Sequence, residues 1–179
     1  MYNGVVATSA DIPIIVRPYE PRDHAACKAL YLQGLVGGAK LAENDMGLDI
    51  DDIEQVYAAP AGNAFWVAEN EAGEVVGMIG VQQLDEGVGE IRRLRVRVDS
   101  QRRGIGSQLL HAAIGFCQEM GYLKVALSTG VGTLPAVKLF EKFHFRHDRT
   151  RMVAGKEMLY FWLDFYARDA DPRNGDAPA

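Results

Sequence analysis

Residues 101–106 read Gln-Arg-Arg-Gly-Ile-Gly, and their types and spacing suit the binding of a phosphate. Gly104 and Gly106 let the backbone turn sharply and present bare amide N–H groups where a helix begins. The dipole of that helix favours an anion at the same place. Arg102 and Arg103 add two guanidinium forks for phosphate oxygens. Leu109 stands where a dinucleotide fingerprint needs its third glycine, and no Gly-Lys-Ser/Thr follows, so neither that loop nor a Walker loop is written here. The plain alternative is a strand-to-helix turn with exposed arginines. A second candidate is Glu90. Period-two alternation sets it on one strand face with Arg92, Leu94 and Val96. Aliphatic neighbours would desolvate the carboxylate and raise its pKa toward the range useful for proton abstraction. The alternative is a solvated glutamate paired with Arg92. The same alternation gathers Arg93, Arg95 and Arg97 on the other face. Such a stripe reads as a solvated or helix-covered face paired with acidic neighbours, in preference to a clamp on an acidic ligand or a nucleic-acid groove.

These residues need a strand before the loop and a helix after it, and the surrounding patterns supply both. Residues 90–98 read as a strand, and Ile105, Leu109, Ala112, Ala113, Phe116 and Met120 recur at helical spacing. Gly121 follows as a C-cap. Gly115 lies inside that helix, where glycine marks a close approach to a neighbour. Upstream, residues 14–17 form a short β-branched run ended by Pro18, and Asp23 caps a helix that runs to about residue 35. Residues 34–47 are Gly-rich and irregular, and a short helix is expected near residues 50–57. Residues 64–69 and 75–84 read as a hairpin turned at 70–73. Downstream come a strand at 122–128, a helix opened by Thr133 and Pro135 and running through residue 143, and an aromatic strand at 158–165. This order predicts an α/β domain over residues 11–166, a mixed sheet with helices on both faces. Residues 1–10 and 167–179 are expected to be flexible ends, the latter being small, charged and Pro/Gly-rich.

Composition narrows the class of partner. The chain has 179 residues, 48% of them hydrophobic and 24% charged, which suits one globular domain. Its net charge of −5 argues against a general nucleic-acid binder. No apolar stretch is long enough to span a bilayer, and no leader is visible at the N-terminus, so a soluble, cytoplasmic protein with no membrane partner is expected. Cys27 and Cys117 fall in helical apolar patterns and read as buried thiols. His144 and His147 have no carboxylate or thiol cluster beside them, so no metal is expected.

A strand, then Gln-Arg-Arg-Gly-x-Gly, then a helix resembles the coenzyme A pyrophosphate loop of the GNAT acetyltransferase superfamily. The resemblance covers about residues 14–165 and is most specific over 90–145. It implies a mostly antiparallel mixed sheet flanked by about four helices, and acetyl-CoA as co-substrate. Leu94, Arg95 and Val96 would be the splayed end of the fourth strand, pairing with the pantetheine arm through main-chain groups. Gln101, Arg102, Arg103, Gly104, Ile105, Gly106 and Ser107 would hold the pyrophosphate. Glu90, six residues before Val96, stands where several lysine acetyltransferases of this superfamily place their general base. Three positions depart from the pattern. Thr133 replaces the usual Asn before the fourth helix, Phe140 replaces the usual Tyr acid, and His144-Phe145 replaces Gly-Phe. Thr133 and Phe140 are nonetheless expected beside the cofactor.

The implied reaction is acetyl transfer from acetyl-CoA to a primary amine of a small molecule or peptide by direct attack. Deprotonating a lysine-like amine of pKa ~10.4 at neutral pH requires about 4.6 kcal/mol, whereas protonating a thiolate of pKa ~8.5 involves only about 2 kcal/mol. The base is therefore the harder requirement, and water or Ser128 can supply the thiolate's proton. The alternatives are a non-catalytic acyl-CoA-binding domain, and an acyltransferase for longer or charged acyl groups with Arg92 or Arg95 on the acyl carboxylate. Acidic residues at 43–45 and 49–52 would attract an ammonium group, or Asp49, Asp51 and Asp52 would cap and charge-complement the short helix that follows. Capping is preferred. Monomer and homodimer are both left open.

Overall fold

The structure, a computed structural model, describes residues 13–36, 47–131, 134–153 and 155–166. Seven strands form one sheet: β1 (Ile15–Pro18), β2 (Ala64–Glu69), β3 (Val75–Asp85), β4 (Val88–Val96), β5 (Lys124–Gly130), β6 (Arg146–Val153) and β7 (Lys156–Asp164). Their order is β1-β2-β3-β4-β5-β7-β6. Every neighbouring pair is antiparallel except β4 and β5, which run parallel. The helices are α1 (His24–Val36), α2 (Leu48–Asp51), α3 (Ile105–Glu119) and α4 (Leu134–Lys142), with a π turn at Glu54–Ala58. The expected mixed, mostly antiparallel sheet with flanking helices is what forms.

The central strand β3 is buried on both faces over residues 76–81, as its unbroken apolar run requires. On one face, Ile105, Leu109, Ala113 and Cys117 of α3 meet Ile79, Val81, Ile91, Val125 and Leu127 of the sheet. On the other, Cys27, Leu30 and Tyr31 of α1 close with Ile50, Ile53 and Tyr57 over Phe65, Val67 and Met78.

Several local expectations are corrected. Asp23 is not the cap of α1 itself; it belongs to the 3-10 turn Pro21–Asp23, where its carboxylate accepts from the Glu20 N–H (2.9 Å) and from Arg17 (2.7 Å). Gly115 has open space around it, so no close neighbour explains it. Strand β6 has no counterpart in the sequence reading, because its eight residues (RHDRTRMV) carry no apolar alternation and seven of them are exposed at the sheet edge. His144 takes φ +65°, so the turn after α4 forms with histidine in place of glycine.

Candidate active site

Strand β4 pairs with β5 from Val88↔Lys124 to Ile91↔Leu127. Beyond that row β4 continues against β3 as far as Val96, and β5 continues against β7 as far as Gly130. Each strand keeps its outer neighbour and the two part from one another. The wedge lies between residues 92–96 and 128–130, and α3 begins just past the end of β4.

A β-bulge opens the wedge. Gly80 pairs with Arg92 and Met78 with Arg95, so Arg93 and Leu94 together face the single residue Ile79. Arg93 sits at φ +58°, a conformation uncommon for a side chain of this size. Its guanidinium is held from outside the strand. Nε and Nη2 donate to the two Asp49 oxygens at 2.8 and 2.6 Å, and the Tyr31 ring lies 5.2 Å from Cζ. The Tyr57 hydroxyl donates to the same carboxylate at 2.6 Å. Arg93 is 6% exposed and Asp49 11%. Burial alone would raise the Asp49 pKa, but the hydrogen bonds from Arg93 and Tyr57 outweigh it and hold the carboxyl below its ordinary range. The sequence carries no signal for this clamp, since its two members lie 44 residues apart.

The bulge also shifts the parity of β4, which corrects two expectations. Glu90 pairs with Gln82 and Ala126, and it shares its face with Arg92 and Arg95, not with Leu94 and Val96. Leu94 and Val96 pack on the α3 side. Nor do Arg93, Arg95 and Arg97 form one stripe. Arg93 is clamped to Asp49, Arg95 donates to the Leu94 carbonyl at 3.2 Å, and Arg97 pairs with Glu74 (3.3 Å) and Asp99 (2.7 Å). Pairing with acidic neighbours, the preferred reading of the stripe, does hold for Arg93 and Arg97. Asp49 is not the cap of α2, whose N-cap is Gly47, but Asp49 and Asp51 lie in its first turn and the Asp52 carboxylate accepts from the Gln55 N–H at 3.3 Å, so charge complementation and capping by the acidic run hold.

Glu90 is 29% exposed and lies in the second-last β4–β5 row before the wedge. Burial pushes its carboxyl above the ordinary range, and the Arg92 and Arg93 charges pull it partly back. Arg92 Nε stands 3.9 Å from the Glu90 carboxylate, and Arg92 also donates to Gln82. Ser128 is exposed two residues beyond Ala126, on Glu90's face, at the mouth of the wedge.

The loop that follows β4 is shaped by Arg102 at φ +62° and Gly104 at φ +77°. Gly104 is the N-cap of α3 and meets no neighbour within 4 Å, so glycine serves the backbone conformation there. A Cβ at Gly106 would come 3.2 Å from Leu139 of α4, so the neighbour accommodated at 106 is that side chain. Gln101 Nε2 donates to the Val96 carbonyl at 3.1 Å and ties the loop to the strand end. Arg102 and Arg103 are exposed, Ser107 is half-buried, and the Ile105 side chain is in the core, which leaves only its main chain at the helix start. The first N–H groups of α3 have no partner within the helix and point out of its start.

The Acetyltransferase (GNAT) family profile matches residues 22–145. The chain belongs to the GNAT acetyltransferase family. It is 36% identical over 103 residues to human N-acetyltransferase 8, a match covering 55% of this chain and 45% of that protein. It is 35% identical over 100 residues to N-acetylaspartate synthetase of Xenopus tropicalis, covering 55% of this chain and 36% of that protein. The match thus spans less than half the length of each of these relatives. Among solved structures, a GNAT-family acetyltransferase from Staphylococcus aureus Mu50 superposes with TM-score 0.74 at 20% identity, covering 85% of this chain and 99% of the other. The Salmonella typhimurium protein yncA, solved with its cofactor acetyl-CoA, superposes with TM-score 0.73 at 18% identity, covering 88% and 96%. These likenesses show the fold.

Within this GNAT domain, Phe140 is corrected. It is 5% exposed and packs against Phe145 (6.1 Å between ring centroids) and Phe161 (5.8 Å), so it is a core residue and does not line the wedge. The α4 side chain that reaches the glycine loop is Leu139. Thr133 and the acidic residues at 43–45 lie outside the described residues. Cys117 is fully buried, and burial pushes its thiol up to about 12, which removes it as a nucleophile. Among the described residues no group of three or more His, Cys, Asp or Glu is placed to hold a metal, and no helix is long and apolar enough to cross a membrane.

Proposed function

We propose that this GNAT domain transfers the acetyl group of acetyl-CoA to the primary amine of a small molecule or peptide by direct attack, with Glu90 as the general base. The carrying observation is the half-buried Glu90, its pKa raised by burial, in the second-last paired row before the wedge between β4 and β5. The residues present suit the co-substrate. The Gly104 turn and the first amides of α3, flanked by Arg102 and Arg103, offer donors to a pyrophosphate. Leu94, Arg95 and Val96 line the wedge along β4, where an extended pantetheine arm can add as a strand through main-chain groups. Bound acetyl-CoA supplies an activated acetyl thioester.

Glu90 accepts a proton from the acceptor's ammonium group, directly or through one water, and frees the nitrogen lone pair. The β4 main chain orients the acetyl carbonyl. The C–N bond forms as the C–S bond breaks, the departing thiolate takes a proton from water or from Ser128, and that donor is restored by the second proton the nitrogen sheds as it becomes the amide. The relatives' names accord with amine chemistry, since N-acetylaspartate is an acetyl amide of an amino acid. Two buried, free cysteines suit a reducing compartment, so we assign the protein to the cytoplasm.

Glu90→Gln keeps size and hydrogen bonding but cannot take the proton. Its kcat should fall by ~10²–10⁴ with acetyl-CoA affinity unchanged, read by free-thiol release and calorimetry. In the wild type, kcat/KM should rise with pH through the elevated Glu90 pKa, above the ordinary glutamate range, and that limb should vanish in the variant. Wild-type turnover in Glu90→Gln would place the base elsewhere.

A further inference from the structure

Strand β6 carries a second bulge with the same consequence as the first. Arg146 pairs with Trp162 and His147 with Phe161, then Asp148 is skipped and Arg149 pairs with Tyr160, Arg151 with Met158. Unbroken alternation would have divided the three arginines between the two faces. With Asp148 as the extra residue, Arg146, Arg149 and Arg151 share the face of Tyr160 and Trp162. Ring contacts agree: the Arg149 guanidinium lies over Tyr160 at 5.2 Å, while His147 meets core Phe161 at 5.5 Å on the opposite side. Trp162 pairs with Ala126, and Ala126 with Glu90, so this is also the face of the proposed base. Among the described residues, α1 and α2 cover this face only as far as β4, and no helix lies over β5, β7 and β6 beside the wedge, where Ala126, Tyr160 and Trp162 are half-buried and Ser128 is exposed.

The charge of that open floor selects the acceptor. All three β6 arginines are exposed, in a chain of net charge −5. Among the described residues Arg149 forms an ion pair with its neighbour Asp148 at 2.7 Å, an exposed contact that a ligand can exchange. Of the acidic residues near the site, Asp49 is neutralised by the buried Arg93. Paired strands lie about 4.8 Å apart and β4 parts from β5 here, so a guanidinium over β7 stands at least roughly 7 Å from the middle of the wedge. That separation fits an amine and a carboxylate within one small molecule.

Resting on the acetyltransferase reading, we infer that the acceptor is an amino acid, its carboxylate held by Arg149 and Arg151 over the Tyr160–Trp162 floor while its amine reaches Glu90. The test compares amino acids with their own α-carboxamides and with spermidine, using acetyl-CoA and the full chain. The acid should exceed its amide in kcat/KM by about ten- to a hundredfold. In Arg149→Gln/Arg151→Gln that preference should collapse through KM, with acetyl-CoA affinity kept, and Arg149→Lys should restore part of it. Equal rates for acid and amide, a preference for spermidine, or a preference that survives the double substitution would overturn the inference. So would a double variant that loses succinyl-CoA selectively, because the carboxylate would then belong to the donor. If no amine turns over, the acetyltransferase reading fails by itself. The carboxylate site is then judged by melting temperature with CoA present. A rise with N-acetyl amino acids but not with their amides, lost in the double variant, supports the site, and no such rise overturns it.

Discussion

One face of this sheet carries arginines in two settings. Over β3 and β4, where α1 and α2 cover the face, Arg93 is buried, doubly bonded to Asp49 and stacked on Tyr31. Over β7 and β6, where no described helix covers it, Arg146, Arg149 and Arg151 are exposed, and among the described residues their ion pair is that of Arg149 with the neighbouring Asp148. In both places a bulge aims the arginines at this face. The difference is burial. A covered guanidinium must be paired, so it fixes the backbone that bears it. An open one stays hydrated and can exchange its partner for a ligand. The bulged strand that frames the wedge is therefore rigid on its α1 side, and the floor beside it is adaptable.

Breaking the covered half should have the largest effect. Asp49→Asn leaves the buried Arg93 without its counter-charge, and a loss of about 3–5 kcal/mol in denaturant-unfolding stability is expected. The pH dependence follows from the depressed Asp49 pKa. Its contribution is present above the ordinary carboxylate range and is lost as pH falls through the lowered folded-state value. The variant should lack that acid limb. A loss under about 1 kcal/mol would mean that the clamp does not hold the bulge.

On the α3 and α4 side, Phe140→Tyr should bury a hydroxyl with no partner and cost about 1–3 kcal/mol, seen as a lower melting temperature with no kinetic gain. Faster turnover at unchanged stability would put this ring at the cofactor instead of in the core. The smallest effect belongs to the open half. Arg149→Gln should change unfolding stability by less than about 0.5 kcal/mol. A larger loss would show the floor to be structural and would erase the contrast.

Much of the fold was legible because its signals are local. The hairpin turn at 70–73 is written in Asn70, whose side chain accepts from the Ala72 and Glu74 N–H groups, and in Gly73 at φ +76°. The loop at 101–106 was legible for the same reason, since a glycine in the left-handed region followed by a helical apolar period specifies a helix start without help from the rest of the chain. Strand β6 was not legible, because a polar edge strand buries nothing that would mark it.

By itself the sequence determined the alternation of strands and helices, the glycine loop at the start of α3, and the presence of a carboxylate, Glu90, on the strand that leads to it. Those features depend on backbone preferences and on periods of a few residues. Only the tertiary structure decided which face each side chain takes. A strand's parity reverses at every bulge, and a bulge forms only against a partner strand. Thus Glu90 joins Arg92 and Arg95, Phe140 turns into the core, and Arg93 meets Asp49 across 44 residues of chain. Periodicity cannot foresee such a pairing, because it is selected by what each folded face covers.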